Sequence, residues 1–493
     1  ADVIVTVSAD TVSESDTIPV PELEQKATAC AKRLRAAERV LVASHIDADG
    51  LTSAAIAVQA LKRADIPCEA VFANQLDAGE IKRIAASKYD TVLFTDFGSG
   101  QLDIIDPYVR NGDFEAVIAD HHQPAMTHDD NPAFSLQYHL NPLLVGIDGA
   151  SQLSGAGASY ILAQALESDT TETDNRDLAA LAVVGAVGDM QSSTDGLTGA
   201  NAAIVEQGIA AGVIEETTDI LIYGRQTRPL PKLLEYANDV QIPGITNNES
   251  GVAAFLDDID IPIRSDGEWR RWIDLTMDER QTVVSGLLNR AIASGVPAEQ
   301  VNDLVGTTYT LTAEAPGTEL RDVSEFSTLL NATARYNRAD VGLAVCLGNR
   351  DAALIEARHL LQTHRQNLSE GLQWVTAEGT TTESNVQWFD AGGRIRETIV
   401  GIIAGMAVGA EGIRDDLPIL AFAEKSETKL KVSARGPQRL VRNGLDLSTV
   451  MQEAASAVGG EGGGHDIAAG ATIPINERST FLEIVDKTVG EQL

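Results

Sequence analysis

The chain has 493 residues, of which 44% are hydrophobic and 4% aromatic, and its 72 acidic and 37 basic side chains give a formal net charge of −35. This hydrophobic fraction excludes a disordered acidic chain, and the lack of any apolar run of ~20 residues predicts that no segment spans a membrane. Three widely separated cysteines without a CxxC pair exclude a disulfide framework and a thiolate zinc site, so a reducing, cytoplasmic location is expected.

Strand and helix patterns alternate along the first part of the chain. Short β-branched and apolar runs predict strands at 40–43, 70–72, 91–95 and 115–119. Amphipathic or alanine-rich stretches predict helices at 26–37, 51–63, 79–87, 155–166 and 176–187. This alternation predicts an α/β domain over 38–195, in which a parallel sheet carries helices on both faces. An N-terminal extension over 1–37 precedes it.

Strand patterns return in the last third of the chain after a less regular segment. Residues 196–304 contain helical patches and acidic loops, and they are predicted to form a mostly helical connecting region. Apolar runs predict strands at 307–313, 341–348, 417–423, 430–434 and 466–473. Helical patterns lie between them at 324–335, 351–369 and 392–408. We therefore expect a second, smaller α/β domain over 305–480.

Carboxylates and imidazoles follow the predicted strands at their carboxyl ends. In chain order they are His45, Asp47, Asp49, Asp96, Asp120, His121 and His122, and Asp189 ends a later apolar run. Because the carboxyl ends of parallel strands meet at one edge of a sheet, these side chains should converge. Converging carboxylates raise one another's pKa unless a cation neutralises them. Oxygen and imidazole ligands favour Mg²⁺ or Mn²⁺, imidazole shifts the preference toward Mn²⁺, and five or six ligands suit two cations.

Several segments, in this order, resemble one family. SHIDADG, TDFG, ADHH and GDM resemble motifs I to IV of the DHH phosphoesterases. In the C-terminal half, KVSARG and GGGH resemble the associated DHHA1 domain, and RDVSEFSTLLNATAR resembles the archaeal RecJ-like branch. The resemblance implies a DHH domain with a parallel sheet and a DHHA1 domain that faces it across a catalytic cleft.

The resemblance also implies roles for the strand-end residues. It makes metal ligands of Asp47, Asp49, Asp96, His121 and Asp189, with Asp96 bridging two cations. His122 would contact the scissile phosphate or act as an acid, and Asp120 would orient a histidine. His45 departs from the common family pattern because it lies two residues before Asp47, so it is either a ligand or a residue that supports one.

The C-terminal motifs supply the predicted substrate-binding residues. By the resemblance, Arg435 and His465 hold phosphate oxygens, and Gly463 and Gly464 allow the backbone to approach the nucleic acid closely. The stretch 429–442 carries five cations and no acid, which is unusual in so acidic a chain. In a strand, Lys431 and Ser433 share the face that Arg435 continues, so this stretch is predicted to follow phosphates. Its alternative is a cationic strand that pairs with acidic neighbours.

The motifs together predict an exonuclease for single-stranded DNA, RNA or both, in which a hydroxide activated by two divalent cations attacks phosphorus. One alternative is a phosphodiesterase for short oligonucleotides or cyclic dinucleotides, because such enzymes carry the same two domains. Another is a RecJ-like component of the archaeal replicative helicase complex, bound to GINS and acting as a scaffold. The retained ligand set favours an active enzyme.

The charge balance yields a testable prediction about salt. An acidic surface with few lysines resembles the cytoplasmic proteins of haloarchaea, and the alternative is an acidic mesophilic protein. We predict that folding requires molar KCl, because a Debye length of ~3 Å at ~1 M salt screens the repulsion among surface carboxylates. Circular dichroism and nuclease rates measured from dilute buffer to multimolar KCl test this. A chain folded and most active in dilute buffer contradicts it.

Overall fold

The chain divides into two compact units. The computed structural model describes residues 18–125, 136–167, 174–237 and 240–493, and the units are Ala1–Ala357 and Arg358–Leu493. Of the predicted extension over 1–37, residues 1–17 lie outside the described part. Within the described ranges, no helix is both long and apolar enough to cross a membrane.

A five-stranded sheet lies at the centre of the first unit. Its strands are β1 (Val40–His45), β2 (Cys68–Ala73), β3 (Thr91–Thr95), β4 (Glu115–Ala119) and β5 (His139–Leu140). They are all parallel and stand in the order β2-β1-β3-β4-β5. The helices of this region are α1 (Glu24–Arg35), α2 (Ala48–Arg63), α3 (Ala78–Ala86), α4 (Leu102–Asn111), α5 (Gly155–Ala165) and α6 (Ala179–Gly188).

Helices cover both faces of this sheet. Leu41, Phe94 and Ile118 pack on one face against the apolar side chains of α3 and α4. Val42 and Val117 point the other way and are also fully buried, on the face that α1, α2 and α5 contact. Strands that are buried on both faces have continuous apolar sequences, so they could be predicted from the sequence. The predicted parallel α/β architecture is confirmed.

The rest of the first unit is mainly helical, with one seven-residue and one two-residue antiparallel strand pair. Its elements are α7 (Gly199–Ala210), β6 (Ile214–Ile220), α8 (Leu230–Glu235), α9 (Glu249–Asp258), β7 (Arg264–Ser265), β8 (Glu268–Trp269), α10 (Met277–Ala293), α11 (Ala298–Asn302), β9 (Val305–Leu311), α12 (Val323–Arg335) and α13 (Ala339–Cys346). β6 pairs with β9, and β7 pairs with β8. An apolar cluster of its own, which includes the buried Trp272, holds residues 220–305 together.

The strand predicted at 341–348 is wrong, because most of this segment forms α13. A short apolar run fits a strand and a buried helix equally well. Here Val341, Gly342, Val345 and Cys346 are buried, which is the spacing of one helical face. A Cβ on Gly342 would lie 2.6 Å from both Leu51 of α2 and Thr333 of α12, so α13 packs very closely on these two helices.

A buried polar junction anchors the start of α12 to the segment 225–227. Asp322 caps the helix by accepting from Ser324 N and Glu325 N, and it also forms an ion pair with Arg225. The Glu325 carboxylate accepts from Gln226 N at 2.8 Å and from the Thr227 hydroxyl. Burial raises the pKa of Glu325 to about 7, and the nearby Asp322 adds to the effect. These contacts fix α12 at its N-terminus.

The second unit is built on one six-stranded sheet. Its strands are β10 (Thr381–Thr382), β11 (Gln387–Asp390), β12 (Ile419–Glu424), β13 (Lys429–Arg435), β14 (Glu461–Gly464) and β15 (Ala468–Pro474). They stand in the order β10-β11-β12-β13-β15-β14, and β11–β12 is the parallel pair. The helices are α14 (Ala352–Glu378), which begins before the unit boundary, α15 (Val400–Ala407), α16 (Gln438–Arg442), α17 (Leu447–Ala457) and α18 (Arg478–Gln492). The apolar cores on its two faces include residues of α17 and α18 and of α15 respectively.

Candidate metal centre

The carboxyl edge of the parallel sheet gathers all the residues predicted for the N-terminal site. Potential ligand atoms within 4.8 Å of one another form three groups. One group is Asp96, Asp120, His121 and His122, the second is His45, Asp47 and Asp96, and the third is Asp49, His121 and Asp189. The second and third groups share no residue, and the Asp96–His121 contact joins them at 3.2 Å between Oδ1 and Nε2. The edge therefore offers two adjacent sets of oxygen and imidazole donors.

Helix α2 positions the two carboxylates of the first motif. Asp47 is its N-cap, and Oδ1 accepts from Gly50 N at 3.0 Å. Asp49 is 1% exposed, and its two oxygens accept from Gly155 N and Ala156 N at 2.7 and 2.9 Å. These amides begin α5, so the positive end of that helix stabilises the buried charge of Asp49.

Asp96 lies at the end of β3 with an uncommon backbone conformation. Its φ is +58°, in a region that few residues other than glycine adopt. Its N–H donates to Ala119 O at 3.1 Å, which fixes the residue after the strand. The side chain is 2% exposed, and Oδ2 lies 3.5 Å from His45 Nδ1. This left-handed residue directs a buried carboxylate between two histidines, and such strain is typical of functional sites.

Asp120 organises the two histidines that follow it. It is fully buried, and Oδ1 accepts from His121 N, from His122 N and from His122 Nδ1 at 2.8 Å, while Oδ2 accepts from Ser99 N at 2.9 Å. His121 Nδ1 lies 2.7 Å from Gly149 O, which turns Nε2 toward Asp49, Asp96 and Asp189. Both oxygens of Asp120 are therefore used to hold neighbouring groups, including the His122 ring, in place. His121 presents Nε2 to the carboxylates.

Asp189 reaches the site from the end of α6. It is the C-cap residue of that helix, and its Oδ2 accepts from Gln191 Nε2 at 2.8 Å. The same amide donates to Gly149 O, while Gln191 Oε1 accepts from Asn201 Nδ2 at 2.7 Å. Asp189 is thus held by a side chain that α7 in turn fixes.

The carboxylates and imidazoles at this edge shift one another's pKa values. Burial raises the pKa of Asp49 well above its usual range, and Asp96 raises it further. Burial would also raise the pKa of Asp96, but the neighbouring imidazoles of His121 and His45 lower it below its ordinary value. Burial opposes the charged form of His45, yet Asp47 and Asp96 raise its pKa to about 11. Protons on imidazole rings therefore supply positive charge that a metal cation can supply instead.

Two unpartnered polar atoms show that a divalent cation fits this edge. Asp96 Oδ1 and His121 Nε2 are buried, and neither has a hydrogen-bond partner of acceptable geometry. Buried polar atoms normally find partners, so this pair needs an explanation. A cation bound to both removes the deficit, and their oxygen and nitrogen donors suit Mg²⁺ or Mn²⁺. The residues present therefore fit the expected metal.

The sequence pattern missed several residues that support this centre. Ser99, Asn141 and Gln191 bond to Asp120, to the His122 carbonyl and to Asp189 respectively. Gln191 lies two residues after the predicted ligand Asp189, and Ser99 lies three residues after Asp96, so both are close to predicted motifs in the sequence. Ser99 and Asn141 also bond to each other, with Asn141 Nδ2 donating to Ser99 Oγ at 2.9 Å. His139, which lies against Ser99 Oγ at 2.8 Å, is buried, and burial lowers its pKa to about 4.

The second unit gathers the predicted substrate-binding residues around β13. Lys431, Ser433 and Arg435 alternate along this strand, so they share one face. Register places Ser433 opposite Gly470 of β15, which in turn lies opposite Gly463 of β14. A Cβ on Gly463 would meet nothing within 4 Å, so the backbone is open to a ligand there.

The end of β14 completes this group. Gly464, with a φ of +143°, is followed by the exposed His465, whose N–H donates to Ala468 O at 2.9 Å. Ala468 is the register partner of Arg435. The structure therefore places all six predicted residues on neighbouring strands and the turn between them: Lys431, Ser433, Arg435, Gly463, Gly464 and His465.

Three family models match the chain. The DHH family N-terminal domain matches residues 39–186, the DHH-CID domain matches 222–305, and the DHHA1 domain matches 386–491. The metal centre is built largely from the first match, and the β13–β14 residues lie in the third. The chain therefore carries all three domains.

Individual proteins resemble the chain over different lengths. An uncharacterized protein of Methanocaldococcus jannaschii is 28% identical over 92% of this chain and 94% of its own length. The single-stranded-DNA-specific exonuclease RecJ of Thermus thermophilus is 28% identical over 39% of this chain, which is 28% of RecJ. A manganese-bound exonuclease RecJ structure matches 96% of both chains with a TM-score of 0.56 at 17% identity. Cdc45 of Entamoeba histolytica matches 95% of this chain and 99% of its own with a TM-score of 0.64 at 10% identity. The fold is therefore RecJ-like.

Gly155 tests whether the edge is a metal centre. A Cβ at this position would lie 2.6 Å from Asp96 Oδ1 and 3.0 Å from Asp49 Oδ2, so Gly155→Ala should push both carboxylates aside. We expect Mn²⁺ affinity, measured by titration calorimetry, to fall at least about tenfold while circular dichroism is unchanged. The matched control is Gly100→Ala, because Gly100 is exposed and its Cβ would find only ordinary contact at 3.5 Å. Equal Mn²⁺ affinities for the two variants would contradict the assignment.

Proposed function

We propose that this chain, which belongs to the DHH family, is a divalent-cation-dependent exonuclease for single-stranded DNA, RNA or both. The DHH match and the homology to RecJ support a hydrolase of the phosphodiesterase or exonuclease class. The observation that carries the proposal is the pair of adjacent donor groups joined by Asp96 and His121, whose facing atoms lack partners. This arrangement suits two cations acting on one phosphodiester.

The proposed ligands divide between the two donor groups. His45, Asp47 and Asp96 would hold one cation, and Asp49, His121 and Asp189 would hold the other, with Asp96 close enough to His121 to serve both. Such ions lower the pKa of bound water and stabilise charge on phosphoryl oxygens. The imidazoles in each group favour Mn²⁺ over Mg²⁺. We therefore include His45 among the proposed ligands, because its ring lies with Asp47 and Asp96.

His122 is the proposed proton donor. Its Nδ1 is held by Asp120 Oδ1, and its side chain is 55% exposed, so Nε2 is accessible to a substrate. Burial of the ring works against its charged form, but the bond to Asp120 raises the pKa of His122 above its ordinary value. The charged ring would contact the scissile phosphate and donate its Nε2 proton to the leaving oxygen as the P–O bond breaks. Asp120 would act by orienting the ring.

The second unit would bind the substrate's other phosphates. Arg435 and His465 would donate to phosphate oxygens, and Lys431 and Ser433 would extend that contact along β13. Gly463 and Gly464 would let the β14 backbone approach the strand closely. The stretch 429–442 carries three further exposed cations: Lys429, Arg439 and Arg442. In a chain of net charge −35, this local concentration of positive charge supports attraction of a polyanion.

A direct assay separates this function from its nearest enzymatic alternative. The purified chain is incubated with Mn²⁺ and end-labelled single-stranded DNA, single-stranded RNA, duplex DNA, dinucleotides or a cyclic dinucleotide, in dilute buffer and in multimolar KCl. Progressive release of mononucleotides from the long single strands supports the exonuclease. Hydrolysis confined to the dinucleotides or the cyclic dinucleotide would instead establish the phosphodiesterase alternative.

A second candidate role is that of a component of the archaeal replicative helicase complex that binds GINS. The supporting observation is the fold shared with Cdc45 over nearly the whole length of both chains. This role is compatible with catalysis. Co-elution of the purified chain with purified GINS on size-exclusion chromatography tests it, and separate elution at micromolar concentrations would contradict it.

Asp96 provides the sharpest test of the proposed chemistry. Because Asp96 contributes to two of the three donor groups, Asp96→Asn should abolish hydrolysis and weaken Mn²⁺ binding while the buried core is kept. The matched control is Asp103→Asn, an exposed residue in the first turn of α4, which should retain wild-type activity. Mononucleotide release and Mn²⁺ titration are the measurements. Substantial activity in folded Asp96→Asn protein would refute the two-cation mechanism.

Variants of Arg435 and His465 test whether these residues of the second unit contact substrate and leave cation binding to the first unit. Arg435→Ala and His465→Ala should each lower kcat/KM on single-stranded DNA by roughly 10–100-fold, the usual effect of losing a hydrogen bond to a charged group. Mn²⁺ affinity should be unchanged because both residues would contact substrate instead of cations. Arg414→Ala is the control, since Arg414 is exposed and paired with Asp416 in the same unit. Loss of Mn²⁺ binding in either variant would contradict the assignment.

A further inference from the structure

We propose that Asn331 is a positioning residue for the metal centre, an inference that rests on the proposed function. Asn331 lies on α12, in the segment between the DHH-CID and DHHA1 matches. Its Oδ1 accepts from Ala48 N at 3.0 Å, across 283 residues of chain. Ala48 stands between the proposed ligands Asp47 and Asp49. A side chain from outside the DHH match therefore bonds to the backbone that carries two of the ligands.

This hydrogen bond closes the first turn of α2. The first four N–H groups of a helix have no partner within the helix. In α2, Asp47 Oδ1 satisfies Gly50 N and Asn331 Oδ1 satisfies Ala48 N. Ala48 is fully buried, so losing the acceptor would leave a buried donor unpaired. Rotation or fraying of this turn would move both carboxylates, because Asp47 and Asp49 flank the bonded amide.

Helix α12 is rigid enough to serve as this support. Its apolar side chains, including Phe326 and Leu330, are buried, and its N-terminus is anchored by the bonds of Asp322 and Glu325 to residues 225–227. Asn331 thus projects from a helix that packing and the buried junction both hold in place.

The same helix also approaches the residue before Asp189. A Cβ on Gly188 would lie 2.8 Å from the Ala48 Cβ and 3.3 Å from the Ser327 Cβ. The start of α2, the end of α6 and α12 therefore meet at one point. Because α12 contacts both ligand-bearing helix ends, it fixes Asp47 and Asp49 relative to Asp189. Where these three helices meet, Asn331 adds a hydrogen bond from α12 to the backbone of α2.

Three variants test the inference. Asn331→Leu keeps a similar volume but removes the acceptor, whereas Asn331→Asp keeps an acceptor oxygen at the same position. Thr328→Ala is the matched control, because Thr328 lies one turn away on α12 and its hydroxyl donates to the Ser324 carbonyl of the same helix. For wild type and each variant of the 493-residue chain, the measurements are Mn²⁺ affinity by titration calorimetry, hydrogen exchange of the peptide 46–52, and thermal unfolding.

We expect Asn331→Leu to bind Mn²⁺ roughly 10–100-fold more weakly than wild type, as is usual when a residue that supports a ligand is lost. Exchange in the peptide 46–52 should also become faster. Asn331→Asp should restore both properties to within a few-fold, and Thr328→Ala should resemble wild type. Wild-type Mn²⁺ affinity and exchange in Asn331→Leu would overturn the inference. So would an equal loss in Thr328→Ala, because that result would reflect general weakening of α12.

Failure of the proposed function would be distinguishable from failure of this inference. A wild-type chain that binds Mn²⁺ but cuts no nucleic acid would refute the exonuclease proposal, yet its variants would still report on positioning through Mn²⁺ affinity. If wild type cuts single strands and Asn331→Leu binds Mn²⁺ and exchanges as wild type does, the exonuclease proposal stands and the positioning role of Asn331 is refuted.

Discussion

Repulsion among buried carboxylates is the constraint on which the first unit depends. Asp49 and Asp96 are almost completely buried, and Asp47 and Asp189 lie beside them at the same sheet edge. Burial and mutual repulsion both disfavour ionised carboxylates, so such an edge forms only where positive charge and N–H donors are supplied. The amino end of α5 supplies amides to Asp49, and Gln191 supplies one to Asp189. Two imidazoles and, in our proposal, two cations supply the remaining positive charge.

Meeting that constraint requires elements from distant parts of the chain. The donors are aimed correctly because the elements that bear them are packed elsewhere: α5 against α2, α6 against α2 and α12, and Gln191 against Asn201 of α7. The close approach of Gly155 to Asp49 and Asp96 shows how little space is left between these elements. The geometry of the centre therefore depends on packing throughout the first unit as well as on the four motifs.

The convergence of these acidic and histidine residues at one edge could be predicted from the sequence because it depends on short motifs. Each acidic or histidine motif directly follows a strand or an apolar helix, and parallel strands bring such ends together. The alternating residues of β13 were likewise predictable, because strand periodicity assigns Lys431, Ser433 and Arg435 to one face. In both cases a short pattern determines the geometry.

What the sequence could not locate depends on long-range packing. Asn141, in the turn after β5, bonds to the His122 carbonyl, and Asn331 bonds to the Ala48 amide of α2 from 283 residues away. No local period marks either residue, since any asparagine can cap a turn. The error at 341–348 has a related cause: a short apolar run does not reveal whether neighbouring helices or neighbouring strands will cover it. There, α2 and α12 cover it, and the segment becomes a helix.

The hydrogen bond between Ala48 and Asn331 also constrains the order in which the chain can be completed on the ribosome. The strands and helices of the DHH match, 39–186, are synthesised first, yet the acceptor for the buried Ala48 amide follows long afterwards. Until α12 emerges, the first turn of α2 lacks its closing partner, and the side of α6 that packs on α12 is uncovered. A nascent chain can thus form the sheet early, but its acidic edge acquires its final geometry only after α12 has been translated.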